Sequence, residues 1–221
     1  MATLAEKLVA EFAGTLLLVA AVIGSGIMGD RLSADTGVAL LANTGATAAA
    51  LFVLISILGP VSGAHFNPVV SAIMALRGAL SPTQAAAYTL AQIAGGILGA
   101  LLAHAMFELP LLQISTAIRS GSGQFIAETV ATFCLLAVIL RGSRIEGISM
   151  PALVSLTIAS AYWFTASTSF ANPAVTIARM LTDTFAGIAP GGVPGFIGAQ
   201  LAAVALIWLA TRHGPPGPQA G

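Results

Sequence analysis

Two carboxylates, Glu11 and Glu128, stand inside apolar stretches of the sequence. A charged side chain inside a lipid bilayer is costly, so an acidic residue there is a functional candidate by default. One interpretation is a proton relay. Because the two acids occupy matching positions in the two halves of the chain, we favour another, in which each carboxylate accepts hydrogen bonds from backbone that is not helical.

An Asn-Pro pair also occurs twice, at Asn67-Pro68 and at Asn172-Pro173, each before a short apolar run. Asn before Pro is a good start for a helix, because the Asn oxygen caps the first turn and Pro suits the first helical position. Each amide NH2 group then remains as a donor, beside a helix N-terminus that carries roughly half a positive charge. Two such ends facing each other would orient a neutral oxygen atom and repel cations, including protons.

Other chemistry finds little support in the residue types. His65, just before the first Asn-Pro pair, could line a path or pack against its neighbours. No two histidines stand at metal-ligand spacing with a carboxylate, so we expect neither a metal site nor a cofactor. The nucleophiles Ser25 and Ser122 have no histidine at a matching depth, so we do not expect an enzyme.

The composition indicates which elements must position these residues. Hydrophobic residues make up 57% of the chain and charged residues only 7%, whereas soluble domains have about 25% charged residues. Eight basic and eight acidic residues cannot coat a globule or form a basic face, which excludes a soluble enzyme and a nucleic-acid binder. The partner that this composition requires is the lipid bilayer.

Crossing the hydrocarbon core takes about 20 apolar residues, and six stretches qualify: about 6–28, 38–58, 83–107, 124–141, 149–166 and 194–212. The two Asn-Pro stretches, near 60–76 and 168–182, are too short to span. The predicted fold class is therefore an all-α membrane protein with six transmembrane helices and two re-entrant half-helices. Several side chains near the span ends are interpreted as anchors at the membrane surface: Tyr88, His104, Tyr162, Trp163, Trp208 and His213.

The two halves of the chain resemble each other. The acidic residues, the Asn-Pro pairs and the Ala-Gln pairs at 91–92 and 199–200 recur in the same order. We predict one membrane channel domain over residues 1–221, with repeat 1 at about 6–107 and repeat 2 at about 124–212. Three spans per repeat is an odd number, so the second repeat is inverted and the half-helices enter from opposite faces. The Pro- and Gly-rich residues 213–221 are predicted to form a disordered tail.

The basic residues predict the orientation, because Lys and Arg favour the cytoplasmic side of a membrane. If both termini are cytoplasmic, that side holds Lys7, Arg77, Arg141, Arg144 and Arg212. The outer side then holds only Arg31, Arg119 and Arg179. We therefore predict a multi-pass protein with both termini in the cytoplasm.

The segments SGAHFNPVVS (62–71) and SFANPAVTIAR (169–179) resemble the motifs of the major intrinsic proteins, the aquaporins and glycerol facilitators. The resemblance covers about residues 6–212. It implies a passive channel with an aquaporin-like fold, a homotetramer, a bacterial-type inner (plasma) membrane, and loop support by Glu11 and Glu128. The pore motif residues that it implies are Asn67, Pro68, Val69, Asn172, Pro173 and Ala174.

The resemblance also implies a selectivity filter, at Thr47, Ser160, Ser169 and Val175. Most relatives have Arg where this chain has Val175, and residues 169–187 are similar to a bacterial subgroup that lacks this Arg and is associated with arsenic detoxification. Four small residues predict a wide constriction. We expect it to pass neutral solutes larger than water: glycerol, urea and metalloid hydroxides such as arsenous acid.

Arg179 follows Val175 by one helical turn. Its side chain could reach back over Val175 and return a cation to the pore. We favour the alternative, in which Arg179 extends to the membrane surface or pairs with Asp183 on the next turn.

A different class of protein, a secondary transporter, stays open, because inverted repeats with broken helices also build transporters. A transporter driven by an ion gradient needs a site for that ion. The membrane-embedded carboxylates of this sequence are Glu11 and Glu128. Solute flux without any ion gradient distinguishes the two classes.

Overall fold

The computed structural model describes residues 2–212, and these fold into α-helices joined by loops and one 3-10 turn at Pro190–Gly192. The helices are α1 (Leu4–Leu32), α2 (Thr36–Ser62), α3 (Pro68–Leu76), α4 (Pro82–Met106), α5 (Ser122–Gly142), α6 (Met150–Phe164), α7 (Pro173–Arg179) and α8 (Val193–Thr211). The tail predicted at residues 213–221 lies outside the described residues.

Five helical segments of the described chain are long and apolar enough to cross a membrane: α1, α2, α4, α5 and the segment Pro190–Thr211 that includes α8. The sixth predicted span is α6, an apolar helix of 15 residues. The short helices α3 and α7 fall on the two Asn-Pro stretches. The predicted all-α class, with apolar long helices and two half-helices, is confirmed.

Close packing of α1 against α4 depends on glycine. A Cβ atom at Gly95 would overlap the carbonyl oxygen of Phe12, and one at Gly99 would overlap that of Leu16. Small residues let membrane helices approach backbone to backbone, where dispersion forces and weak polar contacts hold them. At the far ends of the two helices, Arg31 Nη2 donates to the carbonyl oxygen of Phe107 at 3.0 Å, so α1 and α4 run in the same direction.

The direction of each helix defines two faces of the molecule. The terminal face holds the start of α1 and the ends of α3 and α8, where Arg77 Nη1 donates to the carbonyl oxygen of Thr211. The loop face holds the ends of α1, α4 and α7 and the segment 107–121, whose Ser115 N–H donates to the carbonyl oxygen of Met180 at 2.9 Å. The half-helices α3 and α7 therefore end at opposite faces.

Each half-helix is preceded by a loop with the same unusual backbone. Ala64 and Phe66 have φ values of 49° and 48°, and Ser169 and Ala171, at the matching places before α7, have 50° and 47°. Residues other than glycine pay about 1 kcal/mol or more in this left-handed region. Four strained residues persist only where other contacts fix them, and those contacts belong to the site described next.

Candidate functional site

A cavity of about 310 Å³ runs between the long helices and past the N-termini of α3 and α7. Both Asn side chains of the Asn-Pro pairs line its middle. One wall is apolar and is formed by side chains of the long helices, including Leu18, Val22, Leu51, Leu135, Val154 and Ile158. The other wall carries the polar groups of the two loops, so the cavity has one apolar side and one polar side.

The two Asn-Pro motifs are joined at the centre by crossed hydrogen bonds. Asn67 Nδ2 donates to the carbonyl oxygen of Ala171 at 2.7 Å, and Asn172 Nδ2 donates to that of Phe66 at 2.8 Å. Each Asn oxygen caps its own helix, Asn67 Oδ1 accepting from Val69 N–H at 3.1 Å and Asn172 Oδ1 from Ala174 N–H at 2.9 Å. An amide nitrogen has two hydrogens, so each bond to the opposite loop uses one of them. The sequence did not indicate this cross-link.

Glu11 is fully buried and holds the first loop. Its Oε1 accepts from His65 N–H at 2.9 Å and its Oε2 from Phe66 N–H at 2.7 Å. Ser62 Oγ donates to Oε1 at 2.6 Å, and Gln92 Nε2 to Oε2 at 2.8 Å. Both carboxylate oxygens therefore accept hydrogen bonds from the strained segment before α3, and Gln92 joins the carboxylate to α4.

Glu128 repeats this arrangement in the second half. It is fully buried, and it accepts from Phe170 N–H at 2.8 Å, Ala171 N–H at 2.9 Å and Gln200 Nε2 at 2.7 Å. Gln200 also donates to Thr176 Oγ1 at 3.0 Å. The glutamine has a counterpart in the first half, Gln92, which donates to Ser71 Oγ at 3.0 Å. Sequence reasoning used the two glutamines only as repeat markers and missed that they brace the carboxylates, although their recurrence was the available signal.

Three of the four residues predicted for the filter line the cavity. Thr47, Ser169 and Val175 line the cavity and are at most 5% exposed. They come from α2, from the loop before α7 and from α7 itself, respectively. The structure therefore places these three residues in the wall of the same cavity.

The fourth filter prediction, Ser160, is wrong. Its side chain is exposed, and its hydroxyl donates back to the carbonyl oxygen of Thr157 on the same helix. The residues of α6 that line the cavity are Ile158 and Tyr162, four apart on one helical face. Each residue turns a helix by about 100°, so Ser160, two residues from either, points to the other side.

On α6, Tyr162 lines the cavity where Ser160 was expected. It is 4% exposed, and its hydroxyl donates to Thr47 Oγ1 at 3.4 Å. Tyr88 is also buried, donates to the carbonyl oxygen of Ser62 at 2.9 Å and contacts the His65 ring edge-on at 5.4 Å. Neither tyrosine is the surface anchor that was expected, whereas Trp163 is half-exposed, as an anchor would be.

The two histidines of the described chain have separate positions. His65 lines the cavity, and its Nδ1 lies 3.0 Å from Ser71 Oγ. His104 was expected at the membrane surface but is fully buried. Its ring nitrogens lie 2.9 Å from the carbonyl oxygen of Leu111 and 2.8 Å from Thr182 Oγ1, so it ties α4 to two loops at the loop face.

Arg179 is buried, and the predicted pairing with Asp183 is wrong. Its Nε donates to the carbonyl oxygen of Ala186, and its guanidinium lies over the Phe170 ring, 3.4 Å from the centroid. The Asp183 carboxylate instead accepts from the N–H and hydroxyl of Thr116 at 2.8 and 2.9 Å, which lowers its pKa. Arg179 therefore stays within the wall of the cavity.

A second guanidinium shares the Phe170 ring. Arg119 lies 5.3 Å from the ring centroid, and its Nε donates to the carbonyl oxygen of Gly187 at 2.8 Å. Burial lowers the pKa of Arg119, which remains a cation at neutral pH. The cavity lining, as residues 2–212 form it, includes Arg179 but not Arg119. Within the same residues, no cluster of three or more His, Cys, Asp or Glu side chains could hold a metal ion.

Apolar helices around a central cavity, with two half-helices that end at opposite faces, are the architecture of a membrane channel. The family model of the major intrinsic proteins matches residues 1–161. The chain belongs to this family, whose aquaporin and aquaglyceroporin members are passive channels for water and small solutes.

Individual relatives agree with this assignment. The chain is 58% identical over 198 residues to the aquaglyceroporin AqpS of Rhizobium meliloti (strain 1021), a match that covers 90% of this chain and 85% of the relative. It is 35% identical over 136 residues to the probable aquaporin PIP2-8 of Oryza sativa subsp. japonica, which covers 58% of this chain and 48% of that one. The X-ray structure of the aquaglyceroporin from Plasmodium falciparum has the same fold, with a TM-score of 0.69, 18% identity and coverage of 96% and 98% of the two chains.

Proposed function

We propose that this protein is a wide passive channel for water, glycerol, urea and undissociated metalloid hydroxides such as arsenous acid, all passing in single file through the central cavity. The observation that carries the proposal is the pair of crossed Asn side chains, Asn67 and Asn172, which line the middle of that cavity.

The centre of the path favours neutral solutes. The hydrogen bonds to Ala171 and Phe66 fix the amides of Asn67 and Asn172, so their nitrogens present donors in a constant direction. A passing oxygen atom accepts from them, while a cation meets only donors and positive helix ends. The carboxylate oxygens of Glu11 and Glu128 accept hydrogen bonds from loop N–H groups. In this proposal the two carboxylates therefore support the path and do not carry protons along it.

The filter region admits solutes larger than water. Thr47, Ser169 and Val175 are small side chains beside the larger Tyr162, and in this proposal Val175 stands where relatives carry the filter arginine. Pore width and the donors that line it determine selectivity. Glycerol, urea and arsenous acid are neutral molecules that carry hydroxyl or amide groups. Such molecules suit a path with one apolar wall and one polar wall. The name of the R. meliloti relative, an aquaglyceroporin, supports glycerol in particular.

We further propose the arrangement in the membrane. Repeat 1 at about 6–107 and repeat 2 at about 124–212 form an inverted pair, the terminal face is cytoplasmic, and the protein is a homotetramer of a bacterial-type inner membrane. Large apolar side chains on the outside of the helix bundle, such as Leu90, Ile126 and Leu156, are suited to contact lipid or a neighbouring subunit.

The proposal is tested by a solute series on purified protein in liposomes, without any ion gradient. Stopped-flow light scattering after a gradient of glycerol, urea or arsenous acid should show faster re-swelling than in empty liposomes for all three. Glycerol flux without arsenous acid flux would restrict the channel to organic solutes. Flux that appears only with a sodium or proton gradient would indicate a secondary transporter instead.

A further inference from the structure

His65 turns one ring nitrogen toward the protein interior and the other toward the cavity. Its Nδ1 lies 3.0 Å from the hydroxyl oxygen of Ser71, a residue that is fully buried. His65 itself is partly exposed and lines the cavity. Its Nε2 has no hydrogen-bond partner within residues 2–212 and, unlike the partnerless atoms sealed inside that range, it keeps accessible surface. The nitrogen that is open to the cavity is therefore Nε2.

The direction of the hydrogen bond between His65 and Ser71 follows from Glu11. An ionised carboxylate only accepts hydrogen bonds, so the Gln92 atom that lies 2.8 Å from Glu11 Oε2 is the amide nitrogen. That nitrogen has a second hydrogen, which it donates to Ser71 Oγ at 3.0 Å, while Gln92 Oε1 has no partner within the described residues. The Ser71 oxygen is thus an acceptor for Gln92, and its own hydrogen remains for another atom.

The atom that accepts this hydrogen of Ser71 is His65 Nδ1. Hydroxyls inside helices often donate to the carbonyl oxygen four residues earlier, as Thr176 does to Asn172 at 2.8 Å. Within the described chain the Ser71 hydroxyl instead bonds to Gln92 and His65. If Nδ1 carried the ring hydrogen, this buried hydroxyl would have no acceptor, which disfavours that tautomer about tenfold. Nδ1 is therefore the acceptor, and neutral His65 carries its hydrogen on Nε2.

The second half of the chain has the same glutamine and a hydroxyl but no histidine at this place. Gln200 donates to Thr176 Oγ1 at 3.0 Å, and Thr176 donates on to the backbone of its own helix. The residue that matches His65, two before the asparagine of the motif, is Phe170, whose ring has no nitrogen. The series of hydrogen bonds therefore ends inside the protein in the second half and reaches the cavity in the first.

We propose that Gln92 and Ser71 hold His65 in the Nε2–H tautomer, and that His65 is thereby a specificity-determining donor of the path. The inference rests on the proposed channel function. Nε2–H donates to the oxygen atoms of water, polyols and metalloid hydroxides between the Asn pair and the terminal face. The basic nitrogen, Nδ1, is closed off by Ser71, so the ring offers the path no lone pair that could take up a proton. Gln92 and Ser71 are positioning residues, because they act through His65.

Solid-state 15N NMR of the full chain in lipid bilayers tests the tautomer, because protonated and bare ring nitrogens differ in chemical shift. The His65 signals are assigned by their loss in His65→Phe. We expect wild type at neutral pH to carry hydrogen on Nε2 and none on Nδ1. In Ser71→Ala, Nδ1 has lost its donor, and we expect both tautomers. Thr176→Ala removes the matching hydroxyl of the second half and, as the control, should leave the His65 signals unchanged.

Glycerol permeability of proteoliposomes tests what the tautomer does. It should fall about fivefold in His65→Phe, the scale of one neutral hydrogen bond, and about twofold in Ser71→Ala, where part of the population keeps Nε2–H. His65→Gln, which keeps an N–H donor, should lie closer to wild type. The double variant of Ser71→Ala and His65→Phe should be no lower than His65→Phe, because Ser71 acts through the ring. A merely structural role of Ser71 predicts that the two losses multiply.

The two measurements separate the possible failures. A bare Nε2 in wild type, unchanged His65 signals in Ser71→Ala, or an equal change in Thr176→Ala overturns the proposed series of hydrogen bonds. Losses that multiply in the double variant overturn the positioning role of Ser71, and unchanged glycerol flux in folded His65→Phe overturns the donor role of His65. Wild type without any flux overturns the channel function and the donor role together, whereas the NMR spectra still decide the tautomer.

Discussion

The side chains of Asn67 and Asn172 each donate a hydrogen bond to the loop that carries the other, at 2.7 Å to Ala171 and 2.8 Å to Phe66. The two half-helices therefore do not simply abut. Each asparagine caps its own helix, fixes the opposite loop and lines the path at once. Replacing either asparagine therefore removes a hydrogen bond from the loop that carries the other.

The two asparagines should differ in their contribution to stability. Asn172 Oδ1 accepts from both Ala174 N–H and Val175 N–H, whereas Asn67 Oδ1 accepts from Val69 N–H alone. We expect Asn172→Leu to lower the free energy of unfolding by about 1 kcal/mol more than Asn67→Leu, the value of one hydrogen bond. Thermal unfolding in detergent measures the difference, and flux should fall strongly in both variants. Equal unfolding temperatures would mean that the additional cap contributes nothing.

The carboxylate supports should tolerate glutamine better than leucine. Glu11→Gln keeps one oxygen for the N–H groups of His65 and Phe66, whereas Glu11→Leu leaves both buried donors without a partner, at about 1–3 kcal/mol each. We expect Glu11→Gln to be expressed and to conduct water, and Glu11→Leu to be poorly folded. Glu128→Gln and Glu128→Leu should behave as the same pair. Folded Gln and Leu variants of equal, negligible flux would instead indicate a proton relay.

The filter should close when a large cation is placed in it. Val175→Arg should exclude glycerol and arsenous acid while sparing part of the water flux, because Val175 lines the cavity on the helix that follows Asn172. Ser160→Ala is the matched control, since the Ser160 side chain is exposed on α6 and should leave every flux unchanged. Swelling assays with the three solutes measure both. Unaltered glycerol flux in Val175→Arg would place the constriction elsewhere.

The contact between α1 and α4 should respond to a single methyl group. Gly95→Ala drives a Cβ into the Phe12 carbonyl oxygen, and such overpacking costs about 1–3 kcal/mol. Gly45→Ala, on α2, is the control, because no atom lies within 4 Å of the added Cβ. Replacing a helix-interior glycine there should stabilise by about 0.5–1 kcal/mol. Thermal unfolding that shifts equally in the two variants would contradict the close approach.

Much of this architecture could be predicted from the sequence, because its signals are local. Asn followed by Pro specifies a capped helix start, and α3 and α7 begin at Pro68 and Pro173. Long apolar runs specify the spans for the same reason. Acidic residues inside the apolar spans need hydrogen-bond donors, and the backbone N–H groups of the two loops are those donors.

The missed features depend on partners that are distant in sequence or on helical phase. On α6 the cavity is lined by Tyr162 and not by the predicted Ser160, which lies about 200° away around the helix. Arg179 was expected to seek solvent or Asp183, but its partners are a carbonyl seven residues later and the ring of Phe170. No local pattern predicts that an arginine will be buried against an aromatic ring.

The central claim, a passive path through the Asn pair, is tested most directly by osmotic water permeability of proteoliposomes without an ion gradient, measured for wild type and Asn172→Leu at several temperatures. The account predicts that wild type exceeds empty liposomes, with a temperature dependence close to that of diffusion in water. It also predicts that folded Asn172→Leu loses most of this flux. Wild-type flux equal to that of empty liposomes, or normal flux in folded Asn172→Leu, would contradict the account.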